Sequence, residues 1–383
     1  MTQSVKAALA PQVTDGVGRQ DELAGGLIHD VEAHAGEWEA LARAVNAPPF
    51  VYPGWIRAWV DAFSDRQALV LATARDASGL VAVIPLLEQG GVVRAPANWH
   101  TPEMAAIGVS AEALVTAFEA ALARAPRRVT LRFVSSDRSR VFREALTTSG
   151  YHTFERTLQV SPYALIDQQP PEGTERATAS TKRDIARKWR RLLDLGALEV
   201  DDRDGSTELE QLLGEGFRIE GSGWKDASGT AIASHDRTRS FYSEIAAWAA
   251  RESFLSLAFL RLDGRPLAFQ FGLRTPSEYF FLKGGYDPAY GRYSPGKLLH
   301  ARMIEKLQSE GSSRYEFLGD MEGYKRLWAP EARTFKEVVG YATSPTGTVD
   351  RFVTGHLPAV LRRLRRAARS RWLARRNEQE QAR

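Results

Sequence analysis

The chain has 383 residues, no cysteine, a formal net charge of +4, 43% hydrophobic and 26% charged residues. Without cysteine there is no disulfide, thiolate zinc site, iron–sulfur cluster or cysteine nucleophile. The composition is that of a globular protein, the length fits two domains, and no apolar run nears the roughly 20 residues of a membrane span. The seven histidines stand singly from His29 to His356, with no ligand spacing, so no metal is expected. No G-x-S-x-G elbow, Walker A loop or G-x-G-x-x-G fingerprint is present. These features fit a cytoplasmic protein.

Residues 1–24 read as a flexible lead, whose Val5–Ala10 patch is too short for a secretory core. A strand is predicted over Gly25–Val31 and a helix over Glu37–Val45, broken by Asn46-Ala-Pro-Pro. Pro53 opens a second helix in which Trp55, Trp59 and Phe63 recur on one face, a stripe that reads as core. Leu69–Leu87 is a hairpin turning at Asp76–Gly79. A Ser110-capped helix carrying Leu114, Phe118 and Leu122 leads to a strand at Val129–Val134. A helix near Ser139–Thr148 ends at Gly150, and two strands follow at Tyr151–Leu158 and Tyr163–Ile166.

Asp167–Ser180 reads as a connector. Thr181–Leu193 is a predicted helix with a Thr181/Asp184 capping pattern and an apolar face of Ile185, Trp189 and Leu192. Its other face is basic, with Lys182, Arg183, Arg187, Lys188, Arg190 and Arg191. So many like charges repel unless an anionic partner relieves them. An extended Ala197–Val200, a helix over Ser206–Ile219, the segment Glu220-Gly-Ser-Gly-Trp-Lys225 and a helix over Ser240–Ala250 follow. Phe254–Arg274 is a hairpin turning at Asp263-Gly264.

The next stretch, Glu278–Gln308, combines an aromatic strand (Tyr279–Leu282), a Gly284-Gly285 break, a tight loop and a helix begun by Ser294-Pro295-Gly296. Unpaired N–H groups at that helix start, with Arg292 and Lys297 nearby, form an expected anion site. Beyond it come a strand at Tyr315–Gly319, a loop with a short helix over Asp320–Trp328 and a strand at Thr334–Thr343. From Leu357 the pattern is an amphipathic helix dense in arginine. Its 357–376 stretch suits an anionic membrane surface, RNA contact or terminal packing.

The order hairpin, intervening segment, capped helix, strand occurs at Leu69–Val134 and again at Phe254–Leu318. The chain therefore divides into the lead, a first α/β unit at 25–167, a connector and basic helix at 168–193, a second unit at 194–345 and a basic tail at 346–383. Only the second unit carries the Gly-Gly break and the Ser-Pro-Gly-Lys helix start, so the anion site is placed there.

These residues resemble the GNAT superfamily of N-acyltransferases, specifically the CelD-type acetyltransferases found with cellulose and exopolysaccharide biosynthesis. The carriers are Glu220–Lys225, Phe241-Tyr242, Leu267-Ala268, Lys283–Asp287, Tyr293–Gly296 and Tyr324–Trp328, in that order. The doubled architecture is also similar to the Fem-type aminoacyltransferases, which draw amino acids from tRNA. The resemblance implies tandem GNAT-like domains of mixed α/β sheets. It implies an acyl-CoA co-substrate, in the first place acetyl-CoA, no metal, and an amine acceptor such as an amino sugar or carrier-linked sugar. The alternatives are an aminoacyl-tRNA donor and a non-catalytic scaffold. The implied place of work is the cytoplasm, peripheral to the inner membrane.

Direct attack of an amine on a thioester needs two substrates in line, a base and oxyanion donors. Backbone N–H groups at Gly284, Gly285 and Tyr286 are the expected oxyanion donors. Arg292, Tyr293, Ser294, Gly296 and Lys297 are expected to hold the pyrophosphate of CoA. The superfamily's Q/R-x-x-G-x-G/A loop survives here only in part, as Arg292-Tyr-Ser-Pro-Gly-Lys297. Glu220, placed by the Gly221–Gly223 turn beside Trp224, is the first choice of base, with Asp287 and Asp320 as substitutes. Tyr324 would return a proton to the thiolate, and Trp224, Lys225, Lys283 and Lys325 would face the acceptor.

Overall fold

The computed structural model describes residues 23–65, 67–167, 179–222, 229 and 231–356. The Leu357–Arg376 helix, most of the 167–180 connector, and Trp224 and Lys225 lie outside the described residues. In the first half, β1 (Ala24–Ile28), α1 (Ala35–Ala44) and α2 (Pro53–Phe63) precede β2 (Ala68–Asp76), β3 (Gly79–Gln89), β4 (Val92–Arg94) and β5 (Ile107–Gly108). Then come α3 (Ala111–Leu122), β6 (Arg128–Ser135), α4 (Ser136–Thr148) and β7 (Tyr151–Leu165). The second half runs α5 (Ala179–Leu193), β8 (Leu198–Arg203), α6 (Leu209–Gly221), α7 (Asp236–Arg251), β9 (Leu255–Leu262), β10 (Arg265–Arg274) and β11 (Glu278–Tyr286). It closes with α8 (Pro295–Ser309), β12 (Arg314–Glu316), β13 (Glu331–Ala342) and α9 (Pro345–Arg351).

The repeat read from the sequence is real. Hairpin β2–β3, strand β4, helix α3 and strand β6 correspond to hairpin β9–β10, strand β11, helix α8 and strand β12. In each copy the strands flanking the helix pair in parallel, Val92–Arg94 with Arg128–Thr130 and Glu278–Phe280 with Arg314–Glu316. Local chemistry explains the starts and stops. Ser110 Oγ accepts from the Ala113 N–H at 3.1 Å and starts α3, and Gly150, at φ +82°, ends the α4 turn.

Among the described residues all strands join one mixed sheet in the order β1-β2-β3-β4-β6-β13-β7-β12-β11-β10-β9-β8, with β5 on β3. The halves exchange strands at its centre. β13 inserts between β6 and β7, and β7 pairs with β12 through Tyr163–Leu165. The stretches Tyr151–Leu158 and Tyr163–Ile166 are therefore one long strand, not two, because β13 supplies a partner across the intervening residues. β12 is shorter than expected, ending at Glu316. α5 begins before Thr181, which lies inside the helix; Asp184 instead pairs with Arg187 and with Lys188 at 2.9 Å.

One core is shared by both halves. The α2 tryptophans Trp55 and Trp59 are buried there with Phe217, Phe241, Tyr242, Phe269 and Phe280. Phe50 meets Phe280 edge-on at 5.2 Å and Trp55 meets Phe241 at 5.4 Å. Each such aromatic contact adds about 0.5–1.5 kcal/mol to the burial term, so the first half fixes the face of the second half on which α6 and α7 lie.

Candidate active site

The site is built where β11 leaves β12. β11 pairs with β12 only at Glu278, Tyr279 and Phe280, while its ladder with β10 continues to Tyr286. Past Phe280 the edge of β11 facing away from β10 opens on a gap. A bulge places Phe281 opposite Gly272 but Lys283 opposite Phe271, resetting the alternation of side chains. Leu282 packs in the shared core, and Lys283 turns to the same face, its Nζ 5.8 Å from the Tyr242 ring centroid.

The glycines do not interrupt the strand. Gly284 and Gly285 are ladder residues opposite Gln270 and Phe269, and the irregularity is the bulge before them. Their purpose is close approach: a Cβ on Gly285 would lie 2.6 Å from Glu220 Cα and 2.7 Å from the Ile219 carbonyl oxygen. One on Gly284 would lie 2.7 Å from the Phe269 carbonyl oxygen. The end of α6 thus rests directly on β11.

The start of α8 also differs from expectation. Ser294 has φ +54° and makes no side-chain cap; its carbonyl accepts from the Lys297 N–H at 2.9 Å. Its hydroxyl instead accepts from Lys188 Nζ at 3.0 Å, which brings the basic helix α5 to this terminus. The expected tight loop is a 3-10 helix, Pro288–Tyr293. Arg292 donates to the Tyr293 hydroxyl at 2.7 Å, and Tyr286, 43% exposed, lies with its ring 3.6 Å from where a Gly296 Cβ would stand. Lys188, which also pairs with Asp184 at 2.9 Å, reaches the helix N-terminus beside Arg292, and Lys297 stands in the first turn of α8, an arrangement an anion would complete.

Of the proposed acids and bases, Asp287 is structurally engaged. It caps the 3-10 helix by accepting from the Ala289 N–H at 2.9 Å and pairs with Arg265 at 2.6 Å. Asp320 is exposed. Glu220 stands in the last turn of α6, not in a turn beyond it, is 1% exposed, and accepts from the Ile232 N–H at 2.8 Å. Lys325 faces inward, against expectation: its Nζ donates to the carbonyls of Leu318 at 2.7 Å and Asp320 at 3.0 Å, fixing the loop that carries Tyr324. Burial raises the Tyr324 hydroxyl above its ordinary range, and Glu322 adds to this.

Sequence reading missed three groups here. Tyr242 is buried beside Glu220, and desolvation, then the Glu220 charge, raises its hydroxyl. His100 reaches it from the first half, its Nδ1 3.4 Å from the Tyr242 oxygen and its ring stacked on Phe63 at 5.5 Å. Burial, then Lys283 and His235, lowers His100 to about 4. Beside this cluster lies an open depression of about 480 Å³, lined by Phe63 and Ser234–Thr238. His300, on α8, sits between Phe281 and Phe317. Neither histidine is marked by a motif, and Tyr242, which the sequence offers only with Phe241 as a carrier of the family resemblance, acquires these partners through the fold.

A parallel strand pair thus parts beside a bulge, with a helix N-terminus at its mouth. Residues 179–326 match the acetyltransferase (GNAT) domain. Over those residues, fewer than half of the chain, the protein is similar to that domain. No curated protein sequence matches it. Among solved structures it is similar to FemX, at 13% identity and TM-score 0.54, over 84% of this chain and 99% of that one. It is also similar to the C-terminal domain of a putative lysylphosphatidylglycerol synthetase from Agrobacterium fabrum, at 13% identity and TM-score 0.52, over 84% of this chain and 96% of that one. A Bacteroides thetaiotaomicron protein of unknown function aligns at 12% identity and TM-score 0.54, over 82% of this chain and 99% of that one. At these identities the likeness is one of fold. No helix among the described residues is long and apolar enough to cross a membrane.

Proposed function

We propose that the protein is an acyl-CoA-dependent N-acyltransferase, moving an acetyl or similar acyl group to an amine acceptor such as an amino sugar or carrier-linked sugar. The observation that carries this reading is the parting of β11 from β12 after Phe280, next to the cationic start of α8. The pyrophosphate of CoA lies at Gly296 and Lys297, with Arg292, Ser294 and Lys188 around it. The thioester lies in the gap, its oxygen facing peptide N–H groups on the outward edge of β11 beyond Phe280. One such donor is worth roughly 3 kcal/mol in other enzymes.

The acceptor amine enters from the α6–α7 face, against Lys283, Tyr242 and His100. Glu220 takes the amine's proton as nitrogen attacks the acyl carbon. The C–S bond then breaks, and Tyr324, whose raised hydroxyl keeps its proton at neutral pH, returns one to the thiolate. Working near the inner membrane through the basic tail belongs to the same proposal. Mass spectrometry of glucosamine incubated with acetyl-CoA and the full chain tests it. Acetylation lost in Glu220→Gln and reduced in Tyr324→Phe supports the roles; full turnover in Glu220→Gln removes Glu220 as base.

A second reading, an aminoacyl-tRNA donor, is favoured by the basic face of α5 abutting the same helix start. Steeply salt-dependent tRNA binding without CoA binding would select it.

A further inference from the structure

His300 is a buried histidine whose Nδ1 lies 2.9 Å from the Tyr315 hydroxyl. Tyr315 O–H donates to Gln270 Oε1 at 3.1 Å, and a carbonyl oxygen only accepts. With the Gln270 amide turned this way, the Tyr315 oxygen is left to accept from His300 Nδ1, 2.9 Å away. The ring therefore carries its hydrogen on Nδ1 and presents Nε2 as a bare lone pair. Nε2 has no hydrogen-bond partner among the described residues, and the residue is 4% exposed. Nε2 is not among the fully enclosed polar atoms without a partner, so it keeps an opening through which a ligand N–H or O–H can reach it.

The ring's place says which ligand. Phe281, centred 4.7 Å from the His300 ring, is the first residue of β11 beyond its last rung with β12. Phe317, at 5.3 Å, is the first residue of the chain beyond β12. His300 thus sits across the opening of the gap, touching both strands where they part. Gly296 lies one helical turn before it on the same face of α8. A strip of helix surface about 6 Å long therefore leads from the cationic terminus to the imidazole. Burial, and then Lys325, pushes the imidazole down to about 3, so it stays neutral and remains an acceptor at any physiological pH.

We propose that His300 is a positioning residue of the donor site, its Nε2 accepting a hydrogen bond from an amide N–H of the pantetheine arm of acyl-CoA. This rests on the acyl-CoA reading above. The arm joins a pyrophosphate to a thioester through two amides, which is the order of groups met between Gly296 and the gap. No proton is transferred; the bond sets the depth at which the thioester stops.

The test is histidine side-chain ¹⁵N NMR of the full chain titrated with CoA, with His300→Asn to assign the signal. Asn retains an N–H for Tyr315 but lacks the distal acceptor, and its circular dichroism and melting profile check that it folds. The free protein should show His300 protonated on Nδ1 only, with a bare Nε2 resonance that moves upfield on CoA saturation. CoA affinity should fall about tenfold in His300→Asn, the worth of one such hydrogen bond. CoA binding that leaves Nε2 unmoved, or that is equal in His300→Asn, overturns this inference while leaving the acyl-CoA reading intact. No CoA binding by the wild-type chain overturns both, and an Nε2 response to deacylated tRNA in place of CoA assigns the contact to the other donor and overturns it too.

Discussion

Replacing Glu316 by Gln should change how stability depends on pH. Glu316, 2% exposed, ends β12 on the seam between the halves, where it meets Arg333 at 2.8 Å and Arg314 at 3.8 Å, with Glu278 paired to Arg314 at 2.6 Å. Glu103 joins from the first half, held by Arg138 at 3.4 Å. Burial outweighs the two arginines, and Glu278 and Glu103 oppose ionisation further, so the carboxyl is pushed from 4.5 up to about 7. The folded protein then holds this proton more tightly than the unfolded chain. Its stabilisation is complete below about pH 4.5 and is lost as pH rises through 7. Each tenfold change in proton affinity is worth 1.36 kcal/mol, so the contribution falls by roughly 2 to 3 kcal/mol between pH 5 and pH 8. Glu316→Gln cannot titrate. Urea unfolding of both proteins across this range should show the variant gaining on the wild type by about that amount as pH rises. Parallel curves would refute the argument, because they would mean Glu316 ionises as freely in the folded protein as in the unfolded chain.

His300 should act in the opposite sense. Lowered from 6.5 to about 3, it supplies stability above pH 6.5 that is lost as pH falls, on the order of a few kcal/mol by pH 4. His300→Asn should flatten the acid limb of the unfolding curve. Gly285→Ala, whose Cβ would meet the α6 backbone at 2.6 Å, should cost about 1–3 kcal/mol and lower turnover by shifting Glu220. Gly36→Ala, inside α1 with nothing within 4 Å, should be neutral or stabilising by under about 1 kcal/mol. Lys188→Ala should weaken CoA binding about five- to tenfold, the worth of one charge-assisted contact, and reduce its salt dependence; unchanged affinity would detach α5 from the donor site.

Much of this molecule is written locally and was legible. Trp55 and Trp59 announce a buried helix face, Asp263-Gly264 a hairpin turn, and Ser110 a helix cap, because each acts on its own neighbours in sequence. The doubling was legible for the same reason. What depends on distant partners was not. Nothing near Glu331–Ala342 says that β13 slots between β6 and β7, and the Gly284-Gly285 pair reads as a break until α6 is seen resting on it. Lys325 looks like a substrate cation in sequence, yet the two carbonyls that claim it come from a turn only the fold creates. His100 and His300 carry no signal at all: their roles come from Tyr242 and Tyr315, contacts made by tertiary packing.

Isothermal titration calorimetry of the full chain with acetyl-CoA, and with longer acyl-CoAs, tests the central claim most directly. The account predicts saturable heat at one site per chain, weakened by salt and by Lys188→Ala. A folded protein that gives no heat with any acyl-CoA would contradict it.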